Sequence, residues 1–203
     1  MRRWAPGLAI LAGAGLWWWW RMHPTSRPFA QRVWVDVRHP FVTQARMRRA
    51  LGLRAGERML AIGAGSGRYA VPLAGVVGDS GSVVAVDLHA DMLHLVRRRA
   101  RRLPGARVLV LAADATALPF RADRFDGAWM VSVLGQVPDE RAALAEARRV
   151  VRPGGRLVVG ELAYDPHGVF FHRLREEARS AGLVVESRVG RWGGYFARLT
   201  VPR

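Results

Sequence analysis

Three glycines separated by single residues form the motif with the clearest chemical meaning. Gly63, Gly65 and Gly67 follow an apolar stretch at residues 59–62, which predicts a strand that runs into a glycine-rich turn. Such a turn lets the backbone pass close beneath a ligand at the carboxyl edge of a parallel sheet. Arg68 stands where the dinucleotide-binding pattern needs another glycine, which argues against NAD and FAD. A plain tight turn also uses glycine, so the motif needs independent support.

Two carboxylates provide this support. Asp87 ends the second predicted strand, about twenty residues beyond the loop, where it could accept hydrogen bonds from both ribose hydroxyls of a nucleoside. Capping the next helix is the alternative role, although Asp91 is better placed for it. Asp114 follows the third predicted strand and could accept a hydrogen bond from an exocyclic amine, or cap its own loop. Because the carboxyl ends of parallel strands share one edge, the loop and both carboxylates are expected to meet in one crevice.

The elements that position these residues alternate between strands and helices. Continuous Val-, Leu- and Ala-rich strands joined by helices predict an α/β fold with a doubly wound, mostly parallel sheet covered on both faces. Residues 190–194 are short enough for a hairpin, so the last strand should be antiparallel at one edge. The predicted strands span residues 58–62, 83–86, 107–111, 124–131, 156–161, 184–189 and 195–201. The predicted helices span residues 41–51, 91–102, 140–151 and 170–181, with one more that ends near residue 77.

The basic composition limits the choice of partners without deciding it. The 203 residues include 32 basic residues, all of them arginine, and 16 acidic ones, so the formal net charge is +16. Such charge is consistent with a solvated basic surface, an anionic membrane face or nucleic acid, and these three alternatives stay open. The chain has no cysteine, which excludes disulfides, thiolate metal sites and cysteine nucleophiles. No other residues have the spacing of metal ligands, so no metal is expected.

The N-terminal residues predict a membrane anchor. Residues 4–20 are uncharged and apolar, and as a helix they would span about 25 Å, slightly less than a hydrocarbon core. The tryptophans at residues 17–20, next to Arg21, are typical of a membrane interface. We therefore predict an uncleaved anchor helix at residues 1–21. A cleaved signal peptide and a buried N-terminal helix are the alternatives.

The rest of the chain divides into a connector at residues 22–40 and a domain at residues 41–203. Four arginines follow the apolar run (Arg21, Arg27, Arg32 and Arg38) and two precede it (Arg2 and Arg3), which by the positive-inside rule places the domain in the cytoplasm at the inner membrane. The connector contains Phe29, Trp34 and several arginines. It either lies along the membrane surface or packs on the domain as an ordinary linker.

The ordered motifs of the domain resemble those of class I S-adenosylmethionine-dependent methyltransferases. The likeness is to the ubiquinone/menaquinone-biosynthesis-like branch, methyltransferase type 11, and it covers roughly residues 41–203. The motifs that carry it are Gly63-x-Gly65-x-Gly67, Val86-Asp87, residues 114–120, Phe125-Asp126 and residues 149–157. The resemblance implies a Rossmann-like, seven-stranded sheet, with S-adenosyl-L-methionine (SAM) as the cofactor above the glycine loop.

The resemblance also implies a set of cofactor-binding residues. Asp87 would bind the ribose hydroxyls and Asp114 the adenine amine, and residues 132–138 would line the donor and acceptor sites. The implied cofactor-binding set is Gly63, Ala64, Gly65, Gly67, Asp87, Leu88, Asp114, Ala115 and Ser132.

The chain departs from the family pattern at two positions. Ala61 stands where the family usually has Asp or Glu, a carboxylate that helps to fix the loop and the methionine ammonium. A lost charge-assisted hydrogen bond is worth roughly 1.5–3 kcal/mol. If this loss limits the affinity, Ala61→Asp should tighten cofactor binding. Gln136 stands where close relatives often carry Glu.

Together these observations predict a methyltransferase that uses SAM to methylate a small or lipid-like acceptor at the membrane. Methyl transfer needs in-line placement more than proton transfer. If a base is needed, the candidates are Glu161, Tyr164, His167 and His172. The alternatives are a basic RNA-modifying methyltransferase and a non-catalytic membrane scaffold or sensor, the latter favoured by Ala61.

Two absences narrow the range of acceptors. Without cysteine, the chain cannot perform cysteine-dependent methylation of RNA cytosine or of arsenite. No Asn/Asp-Pro-Pro-aromatic motif follows the fourth predicted strand, which argues against methylation of nucleobase amines. We therefore do not expect nucleic acid as a partner.

Overall fold

The predicted alternation of strands and helices is present in the described chain, which comprises residues 40–103, 105 and 107–203 of a computed structural model. The helices are α1 (Gln44–Leu51), α2 (Ala70–Val77), α3 (Ala90–Ala100), α4 (Glu140–Val150) and α5 (Phe171–Ser180), with a short 3-10 helix at Leu134–Gln136. The strands are β1 (Arg58–Ile62), β2 (Ser82–Asp87), β3 (Val108–Ala112), β4 (Phe125–Val131), β5 (Val151–Leu162), β6 (Val184–Gly190) and β7 (Gly194–Thr200). The predicted anchor at residues 1–21 and all but Pro40 of the predicted connector lie outside the described residues.

The strands form one seven-stranded sheet in the order β3-β2-β1-β4-β5-β7-β6. Strands β1 to β5 pair in parallel, whereas β7 lies antiparallel between β5 and β6. The predicted α/β class and the antiparallel last strand are therefore confirmed. The chain runs outward from β1 in two directions, to β2 and β3 on one side and to β4 and β5 on the other. Such a reversal opens a crevice at the carboxyl ends of the strands, where ligands bind.

Each face of the sheet is covered by its own apolar cluster. On one face, strand residues such as Leu60 pack with Leu144 of α4 and Leu174 of α5. On the other face, Leu51 of α1 and Leu73 of α2 pack on the sheet. Successive strand side chains point to opposite faces, so the continuous apolar strands supply both clusters. Helices on both faces confirm the predicted doubly wound arrangement.

The C-terminal end of α1 is fixed to the sheet by a buried arginine. Arg156 of β5 is 7% exposed, and its guanidinium donates to the main-chain oxygens of Leu51 and Gly52. The same guanidinium forms an ion pair with Glu57, with 2.5 Å between Nη2 and Oε2. Because α1 is fixed at this end, the residues that precede it reach the carboxyl edge of the sheet, where Val42 lines the crevice.

The start of α1 differs from its prediction. The helix begins at Gln44 rather than at Phe41, because the hydroxyl of Thr43 accepts a hydrogen bond from the Arg46 N–H and caps the helix. Phe41 therefore belongs to the segment that enters the domain. Its side chain is 36% exposed.

Two further boundaries are corrected. Helix α4 ends at Val150, and Val151 is already extended and paired with β4, so β5 begins five residues before the predicted residue 156. The early pairing with Phe125 is separated from the rest of the ladder by a register shift, which the sequence pattern did not show. Asp91 is not the N-cap of α3: the cap position is His89, and Asp91 lies in the first turn.

Candidate functional site

The crevice at the carboxyl edge contains a cavity of about 470 Å³. Of the nine implied cofactor-binding residues, the ones that line this cavity are Gly63, Ala64, Gly65, Asp87, Leu88, Asp114, Ala115 and Ser132. They stand at or just after the ends of β1, β2, β3 and β4, so the predicted convergence of strand ends is confirmed. Their contact with SAM stays a prediction. The other lining residues are Val42, Ile62, Arg68, Tyr69, His89, Met92, Ala113, Trp129, Val131, Val133, Gln136, Val137, Pro138 and Leu162.

The glycine loop owes its shape to two residues in the left-handed backbone region. The φ angles are +64° at Gly63 and +52° at Gly65, which glycine adopts without steric cost. A Cβ atom at Gly63 would lie 2.3 Å from the Val133 side chain, so the segment after β4 packs directly on the loop. The Ala64 N–H donates to the Val86 oxygen at 2.9 Å and ties the loop to β2. The loop backbone is therefore held in place as a wall of the cavity.

Gly67 is the implied cofactor-binding residue that does not line the cavity. A Cβ atom there would lie 3.2 Å from the side chains of Val71 in α2 and Val96 in α3. The absence of a side chain allows these two helices to approach each other behind the loop. Gly67 therefore serves helix packing in this structure, and its contact with the cofactor stays a prediction.

Asp87 fastens the loop to the end of β2. Its Oδ2 accepts a hydrogen bond from the Gly65 N–H at 2.8 Å, and its Oδ1 accepts one from the His89 N–H at 3.0 Å. The Nδ1 atom of His89 lies 3.4 Å from the same Oδ1. A carboxylate has about four acceptor positions, so Asp87 can accept further hydrogen bonds, such as those of ribose hydroxyls.

Asp114 has one of the two roles that the sequence left open, and the other stays a prediction. Its Oδ1 accepts hydrogen bonds from both the N–H and the hydroxyl of Thr116, each at 2.8 Å, so the carboxylate does cap its own loop. These bonds hold the side chain at the rim of the cavity. The carboxylate keeps further acceptor positions, so an exocyclic amine could bind there as well.

The cavity is mostly apolar on the side of β4 and β5. Trp129, Leu162 and Val42 line it there, and the Tyr69 hydroxyl donates to the Val42 oxygen at 2.5 Å. Burial raises the pKa of Tyr69 to about 12, although the charge of Arg68 opposes the shift. Tyr69 is therefore protonated at neutral pH and cannot accept a proton from a substrate. Arg68 adds a positive charge to this side of the cavity.

Ala61 lies beside the cavity wall but is not part of it. It is fully buried in β1, in register with Ala85 of β2 and Trp129 of β4, and belongs to an apolar cluster. Trp129, its neighbour on β4, does line the cavity. An aromatic wall thus stands next to the position where the resemblance implies a carboxylate.

The four candidate bases lie outside the cavity lining. Glu161 is 2% exposed and His167 is 6% exposed, and both are enclosed by protein. His172 stacks on the ring of Phe170, with 5.9 Å between the ring centroids. Tyr164 is 52% exposed at the surface. Its partial burial, together with the charge of Asp165, raises the pKa of its hydroxyl. The geometry therefore supports reaction by placement rather than proton transfer through these residues.

Several lining residues are not predicted from the sequence. Tyr69 and His89 stand next to residues of the recognised motifs, and this adjacency could have indicated them. Val42 and Trp129 carry no such signal, since they reach the cavity only through the position of α1 and the pairing of β4 with β1. Met92, in the first turn of α3, is 3% exposed and lines the cavity together with Leu88 and His89.

Fold and site together define a class of protein. A doubly wound sheet of seven strands with the order found here, a glycine loop after β1 and a carboxylate at the end of β2 are the features of class I SAM-dependent methyltransferases. The family model described as a methyltransferase domain matches residues 60–159, which include the loop, Asp87 and Asp114. Over this half of its length the chain is similar to that family, and the curated relatives that match it include ubiquinone and menaquinone biosynthesis enzymes.

Curated relatives match this part of the chain. The demethylmenaquinone methyltransferase of Renibacterium salmoninarum is 38% identical over 122 residues, which are 60% of this chain and 48% of the relative. The ubiquinone/menaquinone biosynthesis C-methyltransferase of Hahella chejuensis is 39% identical over 113 residues, 55% and 45% of the two chains. The chain thus spans less than half the length of these two relatives.

A solved structure shows the same fold over most of the chain. The SAM-dependent methyltransferase from Aquifex aeolicus has a TM-score of 0.77 and covers 87% of this chain and 100% of its own, at 20% sequence identity. A [4+2]-cyclase, SpnF, has a TM-score of 0.70 at 19% identity and covers 78% of this chain and 79% of its own. Because the sequence identities are low, these matches bear on the fold, and the reaction has to be argued from the site.

Proposed function

We propose that the chain transfers a methyl group from SAM to a small, lipid-like acceptor, a quinone-like ring being one candidate. The observation that carries the proposal is the single cavity in which the glycine loop, Asp87 and Asp114 meet an apolar wall formed by Trp129 and Leu162. Polar groups at one end suit a nucleoside, and an apolar opposite end suits an acceptor with little charge. The printed names of two relatives, which concern menaquinone and ubiquinone biosynthesis, support the same acceptor class.

The residues of the chain would act mainly by placement. SAM supplies an electrophilic methyl group when it is bound. The backbone of the glycine loop and the carboxylate of Asp87 would orient the nucleoside, while Trp129 and Leu162 would keep water away from the reacting atoms. Holding two reactants in line replaces a bimolecular encounter by an effectively unimolecular step, which lowers the barrier. The methyl group leaves the sulfonium sulfur, which becomes the neutral thioether of the demethylated product, and the proton that the acceptor loses is released to solvent, since none of the four candidate bases lines the cavity. Tyr69 would contribute shape, because it keeps its proton.

We propose further that residues 1–21 hold the domain at the inner membrane. No helix of residues 40–103, 105 and 107–203 is long and apolar enough to cross a membrane. The proposed anchor rests on the apolar residues 4–20 and the four tryptophans at their end. SAM is a cytoplasmic metabolite, so the glycine loop has to face the cytoplasm.

The test is a binding and transfer experiment on the full-length chain. Titration calorimetry with SAM and with its demethylated product should show binding, and radiolabelled methyl from SAM should enter an extract of membrane lipids. Binding without transfer to any lipid fraction would contradict the acceptor class but not the cofactor. No heat at millimolar ligand concentration, with the fold intact by circular dichroism, would contradict the proposal and favour the scaffold alternative.

A further inference from the structure

The hairpin between β6 and β7 carries the most exposed large apolar side chain of those the structure describes. Trp192 at its tip is 87% exposed. The guanidinium of Arg191 lies over the indole, 5.6 Å from the ring centroid. An exposed tryptophan beside an arginine combines an apolar ring, an N–H donor and a positive charge. Side chains of this kind are typical of the membrane–water interface.

This hairpin tip packs against the end of β5, beside Leu162, which lines the cavity. The Gly193 oxygen accepts a hydrogen bond from the Ala163 N–H at 3.2 Å, directly after the end of β5. A Cβ atom at Gly194 would lie 3.3 Å from the Leu162 side chain, which lines the cavity. Trp192 therefore lies two residues before Gly194, which packs against this cavity-lining side chain.

The described chain also begins beside this hairpin tip. A Cβ atom at Gly193 would lie 2.3 Å from the ring of Phe41, so the entering segment packs on the hairpin. The 39 residues before Pro40 thus join the domain beside Trp192. Their sequence contains the uncharged apolar residues 4–20 with four adjacent tryptophans.

We propose that the tip at residues 190–194 is a membrane-contact site that inserts Trp192 among the headgroups of an anionic bilayer. In this orientation the cavity opens towards the lipid. Anionic lipid is the favoured occupant because the charged side chains that contact Trp192 and the adjoining Phe41 are basic. Arg191 lies over Trp192, and Arg46 donates to the Phe41 oxygen at 2.8 Å. Each arginine near an anionic surface adds about 1 kcal/mol of attraction, or roughly a fivefold gain in affinity.

A single-site fluorescent label tests the contact in the full-length protein. The chain has no cysteine, so Trp192→Cys creates one labelling position for an environment-sensitive dye. Val184→Cys is the matched control, because Val184 is 55% exposed at the opposite end of the same hairpin. Both proteins are reconstituted in phosphatidylglycerol-containing vesicles and in phosphatidylcholine vesicles, and calorimetry with SAM monitors the cofactor site separately.

We expect the dye at position 192 to shift to the blue in anionic vesicles and to be quenched by a lipid-borne quencher, while the dye at position 184 does neither. High salt or Arg191→Ser should weaken the signal at position 192, the latter by about fivefold in lipid affinity. Equal signals at both positions would overturn the proposal. So would a blue shift at position 192 that is the same in both lipids and insensitive to the quencher, because protein, either the N-terminal segment or a second copy, would then cover Trp192.

Discussion

At the scale of single residues, Asp87 links the shape of the loop to the binding of the ligand. Its carboxylate accepts a hydrogen bond from the Gly65 N–H and lines the cavity, and a carboxylate can accept further bonds. We expect Asp87→Ala to weaken SAM binding about tenfold or more, because a hydrogen bond to a charged group contributes about 1.5–3 kcal/mol. Titration calorimetry measures the change. Asp91→Ala is the control, since Asp91 is exposed in the first turn of α3, and an equal loss there would refute the assigned role.

Ala61 offers a test of whether the apolar position beside Trp129 tolerates a carboxylate. The structure buries this position among apolar side chains, so Ala61→Asp would place a carboxyl group away from water. Burial raises the pKa of such a group, so the charged form is unfavourable in the folded state. We expect the variant to lose about 2–4 kcal/mol of unfolding free energy at neutral pH.

The stability loss of the Ala61→Asp variant should depend on pH in a definite direction. A carboxyl group whose pKa is raised in the folded state destabilises the protein progressively as pH rises above its unfolded pKa. The loss should therefore be smaller near pH 5 than near pH 8, as measured by urea unfolding. Ala61→Asn, which carries no charge, should show a loss independent of pH. A stable Ala61→Asp variant with tighter SAM binding would instead support the carboxylate role that the resemblance implies.

At the scale of secondary-structure elements, two arginines of β5 form ion pairs of very different burial. The Arg156 and Glu57 side chains are 9% and 12% exposed, whereas those of Arg152 and Asp126 are 51% and 23% exposed. Removing one partner of a buried pair leaves an uncompensated charge. Arg156→Met should therefore lower the unfolding free energy by about 3–5 kcal/mol. Arg152→Met should cost at most about 1 kcal/mol, because water screens an exposed pair.

Denaturant unfolding of both variants checks this comparison. Arg156 also holds the main-chain oxygens of Leu51 and Gly52, so its loss should loosen α1 and the segment that brings Val42 to the cavity. Hydrogen exchange in α1 would detect this effect. Similar stability losses in the two variants would show that Arg156 does not fix the helix in the way that its contacts indicate.

At the scale of the whole molecule, the N-terminal residues are expected to decide where the domain works. We predict that full-length protein stays with membranes through an alkaline carbonate wash. Deletion of residues 1–22 should release most of the protein into the soluble fraction with SAM binding intact, because the cavity is built from residue 42 onward. Cell fractionation and calorimetry make the two measurements. Soluble full-length protein, or a chain cleaved after Trp20, would refute the anchor and weaken the case for a lipid acceptor.

Much of the site follows from local sequence alone. The glycine loop, Asp87 and Asp114 are recognisable because each lies at the end of an apolar strand, and parallel strands present these ends at one edge. Alternation of apolar strands with helices likewise determines the doubly wound class before any contact is known. These features depend on residues that are close together in the chain.

Only the tertiary structure decided which neighbours complete the cavity. Trp129 stands beside Ala61 because β4 pairs with β1, a contact between residues that are far apart in sequence. Gly67 fits the loop motif, yet its missing side chain serves the packing of α2 against α3, and a local pattern does not distinguish these uses. The hairpin tip that carries Trp192 packs beside Leu162 because β7 lies against β5. Strand order and helix packing depend on non-local contacts, and the spacing of residues along the chain carries no record of them.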